Sequence, residues 1–309
     1  MGAYRGGTLT CEHDRVRAEV MVGTCNWSDH EGFYPKGLPP GRRLEHYARF
    51  FPLVEVDSSY YAIPPTARTA AWAEATPAHF RFNVKAFRSL TYHEREGDRP
   101  REPTSWEVER FLACLEPLRE AGKLVAVHYQ FPPWYTRAAE NLERLERIRA
   151  RHPDDLLVFE FRHRSWAQPG AEAALELLRR QAVSLCLVDE PQLGEGSFPR
   201  LVQVTDPRLV VVRFHGRNRA TWYAKGRRSG DRFDYLYSRE ELADWVPSIN
   251  RLAETAARVQ LLFNNNRANY AVINGLQMAE LLHLGYPPPE ESLATTPPLF
   301  PGDGAGATT

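Results

Sequence analysis

The seven residues 209–215, with the sequence LVVVRFH, contain the pattern that decides the fold. A short run of aliphatic, mostly β-branched residues is typical of a strand buried in a parallel sheet. The run ends in Arg213 and His215, which a buried strand does not need for packing. Because side chains alternate across a strand, these two residues share one face. The stretch therefore predicts a buried strand whose carboxyl end carries polar chemistry.

The same pattern recurs seven more times along the chain. Each run is rich in β-branched or aromatic residues, and longer charged segments of helical period, such as 138–151 and 171–181, lie between the runs. This alternation is typical of βα units that build a parallel sheet. The predicted strands are residues 20–24, 53–57, 80–85, 124–130, 156–162, 183–189, 209–215 and 259–264.

Eight strands predict an α/β fold, a single (β/α)8 barrel of the TIM type with parallel strands. We expect one domain over residues 1–309, with a core at about 20–285 and a C-terminal tail at 286–309. The alternative is an open doubly wound sheet, which often has a glycine-rich phosphate loop after its first strand. Residues 23–35, GTCNWSDHEGFYP, contain no G-x-G-x-x-G. Long loops at 89–105 and 217–237 lie where barrels usually build their sites.

Composition narrows the function classes. The 39 basic and 39 acidic residues balance, so the whole molecule has no electrostatic attraction to nucleic acid or to an anionic membrane. No apolar run approaches the roughly 20 residues that cross a bilayer, and the N-terminus lacks the apolar region of a signal peptide. The four cysteines show no C-x-x-C spacing, which argues against a zinc ribbon or a disulfide framework. We expect a cytoplasmic protein with no membrane partner.

Polar side chains mark the end of every predicted strand. In a barrel of this type the carboxyl ends of all strands meet on one face, which carries catalysis. Alternation places Glu160 with Arg162, and Glu55 with Asp57, on shared faces. Charges packed together in a partly desolvated pocket must pair or shift their pKa values. The strand-end residues are Asn26, Asp57, Lys85, Gln130, Glu160, Arg162, Asp189, Arg213, His215, Asn264 and Asn265.

Four of these residues are predicted to be catalytic, namely Lys85, Glu160, Asp189 and His215. A lysine deep in the barrel mouth suits an anionic substrate group or, with a lowered pKa, amine chemistry. A histidine at a strand end can be a general base, a metal ligand or a structural residue. Residues predicted to bind substrate are Trp27, Asp57, Tyr60, Gln130, Arg162, Arg213, Asn264 and Asn265.

Structural roles are the alternative for several of these side chains. Glu55 and Glu160 can close the core as buried ion pairs with Arg162 and Arg213. His93 and His128 are secondary candidates, and His128 has the parity of an inward residue one layer below the rim. Aromatic residues after the strands, Trp27 and Tyr60 among them, can stack on a sugar or a base, or can only fasten loops to the rim.

Seven motifs in order resemble a known family. They are GTCNWSDHEGFYP, FFPLVEVDSSYYAIP, FRFNVKAF, VHYQFPP, FEFRHRSW, VVVRFHG and FNNNRANYAVINGLQM. Together they are similar to the YecE-like family, also called domain of unknown function 72, from about Met21 to Leu282. This resemblance implies a TIM-barrel fold and names no reaction. The family pattern more often has an asparagine at the position of Asp57, so this chain adds a carboxylate at the rim.

The resemblance also marks individual positions. Most of them coincide with the strand-end residues found above. They are Trp27, Tyr34, Glu55, Tyr60, Lys85, Gln130, Pro132, Glu160, Arg162, Trp166, Asp189, Arg213, His215, Gly216, Asn264 and Asn265.

Three functions fit the pattern. The first is an enzyme for a small anionic substrate, phosphorylated, sugar-like or nucleotide-like, held by Lys85, Arg162 and Arg213. General acid–base chemistry by carboxylates and an imidazole, with hydrolysis of a phosphoester or glycosidic bond, would follow. No cofactor is firmly implied.

The second function is metal-dependent, with Glu160, Asp189 and His215 holding a divalent metal as in endonuclease-like phosphodiesterase or isomerase barrels. The cations nearby weigh against it. The third is a non-catalytic protein that binds single-stranded nucleic acid through rim aromatics and the basic loop 216–232, against which the zero net charge counts. The sequence favours the anionic substrate.

Overall fold

The predicted strands form a closed parallel barrel in the computed structural model, which describes residues 18–30, 32–168, 170–222 and 232–287. The hydrogen-bonded order is β8-β7-β6-β3-β2-β1-β11-β10-β9, and β4 and β5 form a small separate hairpin. The strands are β1 (Glu19–Cys25), β2 (Leu53–Val56), β3 (Arg81–Lys85), β4 (Arg95–Glu96), β5 (Arg99–Pro100), β6 (Leu124–Gln130), β7 (Leu156–Glu160), β8 (Val183–Leu185), β9 (Leu187–Asp189), β10 (Val210–Phe214) and β11 (Arg258–Phe263).

The barrel closes through β8 and β9, which are two halves of one strand interrupted only at Cys186. The first half pairs with β7 and the second with β10, both in parallel. The Cys186 N–H donates to the carbonyl of Phe159 at 2.8 Å, so contact with β7 continues through the interruption. The sheet therefore has eight strand positions around a closed ring. The prediction of a single (β/α)8 barrel is confirmed.

Helices cover the outside of the ring. The predicted helices 138–151 and 171–181 appear within one residue at each end, as α4 and α5. In α5 the side chains of Ala174, Leu177 and Leu178 are buried, and charged residues occupy the other face. The helices are α1 (Arg43–Tyr47), α2 (Thr66–Glu74), α3 (Ser105–Glu120), α4 (Ala139–Arg151), α5 (Glu172–Arg180), α6 (Arg239–Ala243), α7 (Val246–Thr255) and α8 (Tyr270–Leu281).

The closing helix α8 packs against β1 and β11. Gly275 of α8 faces β1 and the ring of Phe51, and an added Cβ would lie 3.6 Å from Val22 and only 3.1 Å from that ring. Beyond α8, the Tyr286 hydroxyl accepts a hydrogen bond from the Val22 N–H at 2.7 Å. The rest of the predicted tail, residues 288–309, lies outside the described residues. No helix in the described ranges has the length and apolar character needed to cross a bilayer.

Alternation along the strands separates an apolar layer from a polar interior. In β10 and β11 the rings of Phe214 and Phe263 stack at 4.6 Å, and Trp245 of the helix layer lies 5.3 Å from Phe214. Their neighbours Arg213 and Asn264 therefore point into the barrel. The apolar core thus lies between sheet and helices, and the charged residues are gathered inside the ring.

Candidate active site in the barrel mouth

Arg213 of β10 lies at the centre of an ion-pair network inside the barrel. Its Nη2 is 2.5 Å from Oε1 of Glu55, and its Nη1 is 2.7 Å from Oε2 of Glu160. All three side chains are fully buried. Burial raises the pKa of Glu160, but the guanidinium groups of Arg213 and Arg162 outweigh it and hold the pKa well below its usual range. These carboxylates are therefore ionised and depend on Arg213 for compensation.

His128 of β6 is the second cation of this network. Its Nδ1 lies 2.6 Å from Oε2 of Glu55, and its Nε2 lies 3.1 Å from Oε2 of Glu160. Burial lowers the pKa of His128, but the two carboxylates outweigh this and raise it above its usual value. Two carboxylates thus face one guanidinium and one imidazolium, so the network is internally neutral. His128, which the sequence analysis treated as a secondary candidate, is thus a full member of the ion-pair network.

His215 completes what we call the charge cluster, consisting of Glu55, His128, Glu160, Arg213 and His215. Burial, with a further effect of Arg162, lowers the pKa of His215 to about 3, so its ring is neutral. The Asn264 amide donates to Nδ1 at 2.9 Å, which leaves the Nε2–H to donate to Oε1 of Glu160 at 3.0 Å. Both ring nitrogens are thus engaged by protein groups, Nδ1 by Asn264 and Nε2 by Glu160. His215 therefore positions Glu160 and has no ring nitrogen left to bind a ligand.

Four polar residues lie above the cluster and reach solvent at the carboxyl ends of neighbouring strands. We call them the mouth residues: Asp57, Lys85, Gln130 and Arg162. The Lys85 and Arg162 side chains are 10% and 11% exposed, and that of Asp57 is 19% exposed. Lys85 Nζ lies 3.2 Å from Oδ1 of Asp57, whose pKa is raised by burial against the opposing effect of the ammonium. Gln130 donates to Glu160 at 2.6 Å, which joins the mouth to the cluster.

Arg162 is held by two carboxylates. Its Nε lies 3.0 Å from Oε1 of Glu160, and its Nη1 donates to Glu190. Glu190 has a fully buried side chain that also accepts from the Phe198 N–H at 2.8 Å. Burial raises the pKa of Glu190 to about 7, and Arg162 opposes this effect. The sequence prediction missed Glu190, although it directly follows a predicted strand end.

Asp189 is not brought together with the other predicted catalytic residues. It is opposite Phe214 in the β9–β10 register, on the outer face of the barrel. Its carboxylate accepts from Trp245 Nε1 at 2.7 Å, from the Tyr237 hydroxyl at 2.9 Å and from two nitrogens of Arg217. These contacts attach the loop after β10 to the helix layer. Asp189 therefore acts here as a structural anchor.

This placement also separates the predicted metal ligands, because Asp189 faces away from Glu160 and His215. Among the described residues, two other groups place three donor atoms within 4.8 Å: His128, Glu160 and Cys186, and Cys25, Glu55 and Asp57. Each group contains a carboxylate already bound by Arg213. Burial raises the pKa of the Cys25 and Cys186 thiols well above the usual value, whereas a metal binds the thiolate. These donor sets fit the guanidinium better than a metal ion.

Two predicted substrate-binding residues lie elsewhere. The ring of Trp27 packs edge-on against Trp72 of α2 at 5.3 Å. The amide of Asn265 donates to the Tyr235 carbonyl at 2.9 Å and to Asn274 at 2.8 Å, which ties the loop before α6 to α8. A separate cavity of about 610 Å³, lined by loop residues from Ser28 to Arg43, contains no member of the cluster.

Aromatic rings stand over the mouth residues. We call Tyr60, Tyr61, His93 and Trp134 the aromatic wall. Tyr60 lies 5.0 Å from Lys85 Nζ and meets His93 edge-on at 5.0 Å, and His93 meets Trp134 at 6.1 Å. Burial, with Lys85 and Arg162, lowers the pKa of His93 to about 3. The wall is therefore neutral beside two cations.

The other half of the opening is covered by Trp222 and Phe233. Their rings lie 6.4 and 6.1 Å from the ring of His215, and the Arg162 guanidinium lies 5.5 Å from the Trp222 ring. Residues 223–231, most of the predicted basic loop 216–232, lie outside the described residues.

Known proteins are similar to this chain in sequence and in fold. The UPF0759 protein YunF of Bacillus subtilis (strain 168) is 36% identical over 271 residues, which cover 86% of this chain and 96% of that protein. A DUF72 family protein of Enterococcus faecalis V583 matches with a TM-score of 0.79 and 34% identity, over 87% of this chain and 97% of that one. A DUF72 family protein of Thermotoga maritima MSB8 matches with a TM-score of 0.74 and 34% identity, over 85% and 99%.

The family profile agrees with these pairwise matches. Residues 21–298 match the family described as "Protein of unknown function DUF72". This range contains every strand of the barrel after the first two residues of β1 and also all members of the charge cluster. The chain therefore belongs to the DUF72 family.

Proposed function

We propose that the protein is an enzyme that binds a small anionic substrate at Lys85 and Arg162 and acts on it by general acid–base chemistry. One observation carries the proposal. Lys85 and Arg162 are cations that reach solvent at the barrel mouth, whereas Arg213 is fully buried and engaged by Glu55 and Glu160. Of the three cations expected from the sequence, Lys85 and Arg162 are therefore proposed to bind substrate, and Arg213 to stabilise the buried carboxylates.

Charge compensation supports an anionic ligand. The deeper network, including the Glu160 that Arg162 contacts, is neutral by itself, so among the described residues the carboxylates left to balance Lys85 and Arg162 are Asp57 and Glu190. Burial raises the pKa of both these carboxyl groups, that of Glu190 to about 7. When either is protonated the mouth becomes net positive. An anion bound there would then replace a carboxylate as the partner of the ammonium or the guanidinium.

Proton transfer falls to groups that face the mouth. Asp57 is 19% exposed and 3.2 Å from Lys85, and its raised pKa suits a carboxyl group that gives and takes protons. Glu160 and His215 are fully buried, so their role is to hold Arg162, Gln130 and each other in place. An anion-binding pair beside an acid–base carboxyl group suits hydrolysis of a phosphoester, or of a glycosidic bond in a phosphorylated sugar.

Thermal unfolding with a panel of phosphorylated metabolites, nucleotides and sugars tests the proposal. A ligand at 100 times its Kd stabilises the native state by about 2.7 kcal/mol, which raises the melting temperature. The Lys85→Met variant should lose both this shift and turnover of the ligand that causes it. Its own melting temperature should stay close to that of the parent protein.

Lys36→Met is the matched control, because Lys36 is exposed in the loop after β1 and should keep the shift. A large drop in the melting temperature of ligand-free Lys85→Met would assign Lys85 to structural pairing with Asp57. No stabilisation by any anion in the panel would contradict the proposed function.

A further inference from the structure

The aromatic wall and the mouth residues occupy the same sector of the barrel. Asp57 directly follows β2, and Lys85 and Gln130 end β3 and β6; the three strands are neighbours in the sheet. The wall residues come from the loops after these same three strands. A ligand held by the cations must therefore lie beside the rings.

The rings continue from the ammonium group to the protein surface. Tyr60 is 5.0 Å from Lys85 Nζ, and two further ring-to-ring steps of 5.0 and 6.1 Å lead through His93 to Trp134. Trp134 is 45% exposed and Tyr61 is 62% exposed. Large rings left in water beside a charged opening are typical of a binding surface.

The opposite side of the opening offers no such surface in the described residues. Trp222 is only 4% exposed, and His215 beside it is fully buried. Among the residues that the structure describes, the aromatic wall is therefore the ring surface open to the part of a ligand that extends away from the cations. This restricts the shape of the ligand as well as its charge.

The spacing indicates a flat group separated from the anion by a spacer. The rings of Tyr60 and His93 stand between the Lys85 ammonium and the 45% exposed Trp134. In a sugar phosphate the sugar follows the phosphate directly, beside the ring in contact with the ammonium, that of Tyr60. A nucleoside monophosphate carries a base beyond the sugar, at the end of the ligand that extends toward Trp134. A base has a flat π-face, and stacking on an aromatic side chain contributes about 1–3 kcal/mol.

We propose that the substrate is a nucleoside 5′-monophosphate or a closely related nucleotide, with its phosphate on Lys85 and Arg162 and its base against Trp134 and Tyr61. This inference rests on the proposed function, because it takes the anion site at Lys85 and Arg162 as given. It adds the part of the substrate that lies outside that site.

Calorimetric titration of the full chain with AMP and with ribose 5-phosphate tests the base contact. Stacking of about 1–3 kcal/mol predicts that AMP binds about 5- to 150-fold more tightly than ribose 5-phosphate. Trp134→Ala should remove most of this difference by weakening AMP alone. Trp106→Ala is the matched control, since Trp106 is 62% exposed on α3 and does not belong to the wall, and it should leave both affinities unchanged.

The outcomes separate this inference from the function on which it rests. Equal affinities for the two ligands, both lost in Lys85→Met, would overturn the base contact and keep the anion site. An equal loss of both affinities in Trp134→Ala would overturn it too. If neither ligand depends on Lys85, the anion site itself is wrong.

Discussion

Replacing Arg213 by methionine should destabilise the protein by about 3–5 kcal/mol, because it leaves buried charge without a partner. The guanidinium now lies 2.5 Å from Glu55 and 2.7 Å from Glu160, and all three groups are fully buried. Without it, the imidazolium of His128 still contacts both carboxylates and Arg162 still contacts Glu160, but Arg162 is also engaged by Glu190. One negative charge remains uncompensated, and the folded protein should take up one proton to neutralise it.

That proton makes the loss depend on pH in a known direction. With Arg213 present, the pKa of Glu160 is far below its usual range, so the carboxylate stays ionised in both states near neutral pH. In Arg213→Met, burial dominates and raises a carboxyl pKa above the unfolded value of about 4.3. The folded variant then binds more protons than the unfolded chain. Its free energy of unfolding should fall by up to about 1.4 kcal/mol for each pH unit from about 4.3 up to the raised pKa.

Urea unfolding of the variant and the parent protein at several pH values between about 5 and 8 measures this difference. The triple variant Glu55→Gln, Glu160→Gln, Arg213→Met is the control, because neutral amides leave no buried charge and should restore part of the stability. A loss below about 1 kcal/mol, or one that is the same at every pH, would refute the role assigned to Arg213.

Two further predictions concern the outer anchor and the carboxyl group behind Arg162. Asp189→Asn should lower the free energy of unfolding by about 2 kcal/mol, because Arg217 and Trp245 lose a charged acceptor. The affinity for the anion, measured by calorimetry, should stay unchanged. Weakened anion binding with no loss of stability would instead place Asp189 in the site. Burial raises the pKa of Glu190 to about 7, so its ionisation above about pH 4.3 costs stability in the folded parent protein. Glu190→Gln has no such group. Its free energy of unfolding should therefore rise relative to that of the parent protein between about pH 4.3 and 7, by up to about 3 kcal/mol. A pH-independent difference in urea unfolding would show that Glu190 stays ionised.

The strands could be predicted from sequence because their apolar runs are short, regular and separated by helical periods. The predicted strand 124–130 has the same bounds as β6, whereas the predicted strand 156–162 ends at Glu160 in β7. The predicted and observed ends of this strand differ because the chain leaves the sheet after Glu160, and Arg162 lies at the barrel mouth. An apolar pattern continues through such a turn, so it does not reveal where hydrogen bonding stops.

Which face of a strand points into the barrel was harder to predict. A parallel strand is buried on both faces, so hydrophobicity does not distinguish inside from outside. In β9 this ambiguity placed Asp189 in the predicted site, although it faces the helices, and Glu190 one residue later turns inward to Arg162. The sequence predicted a catalytic role for Glu160 and substrate binding for Arg213, with buried ion pairing of Glu55, Glu160 and Arg213 as the alternative, and contacts of 2.5 and 2.7 Å support that alternative.

The pairing of β1 with β11 has a consequence for how the chain folds during synthesis. Glu19 and Arg258 form an ion pair at 2.7 Å although 239 residues separate them, and the strands that carry them are the first and last of the barrel. Proteins with such distant contacts fold slowly, and a nascent chain emerges N-terminal end first. Until β11 leaves the ribosome, β1 and β10 each expose an unpaired strand edge, which invites association with other chains. The growing chain therefore carries two open strand edges until the last strand of the barrel has been translated.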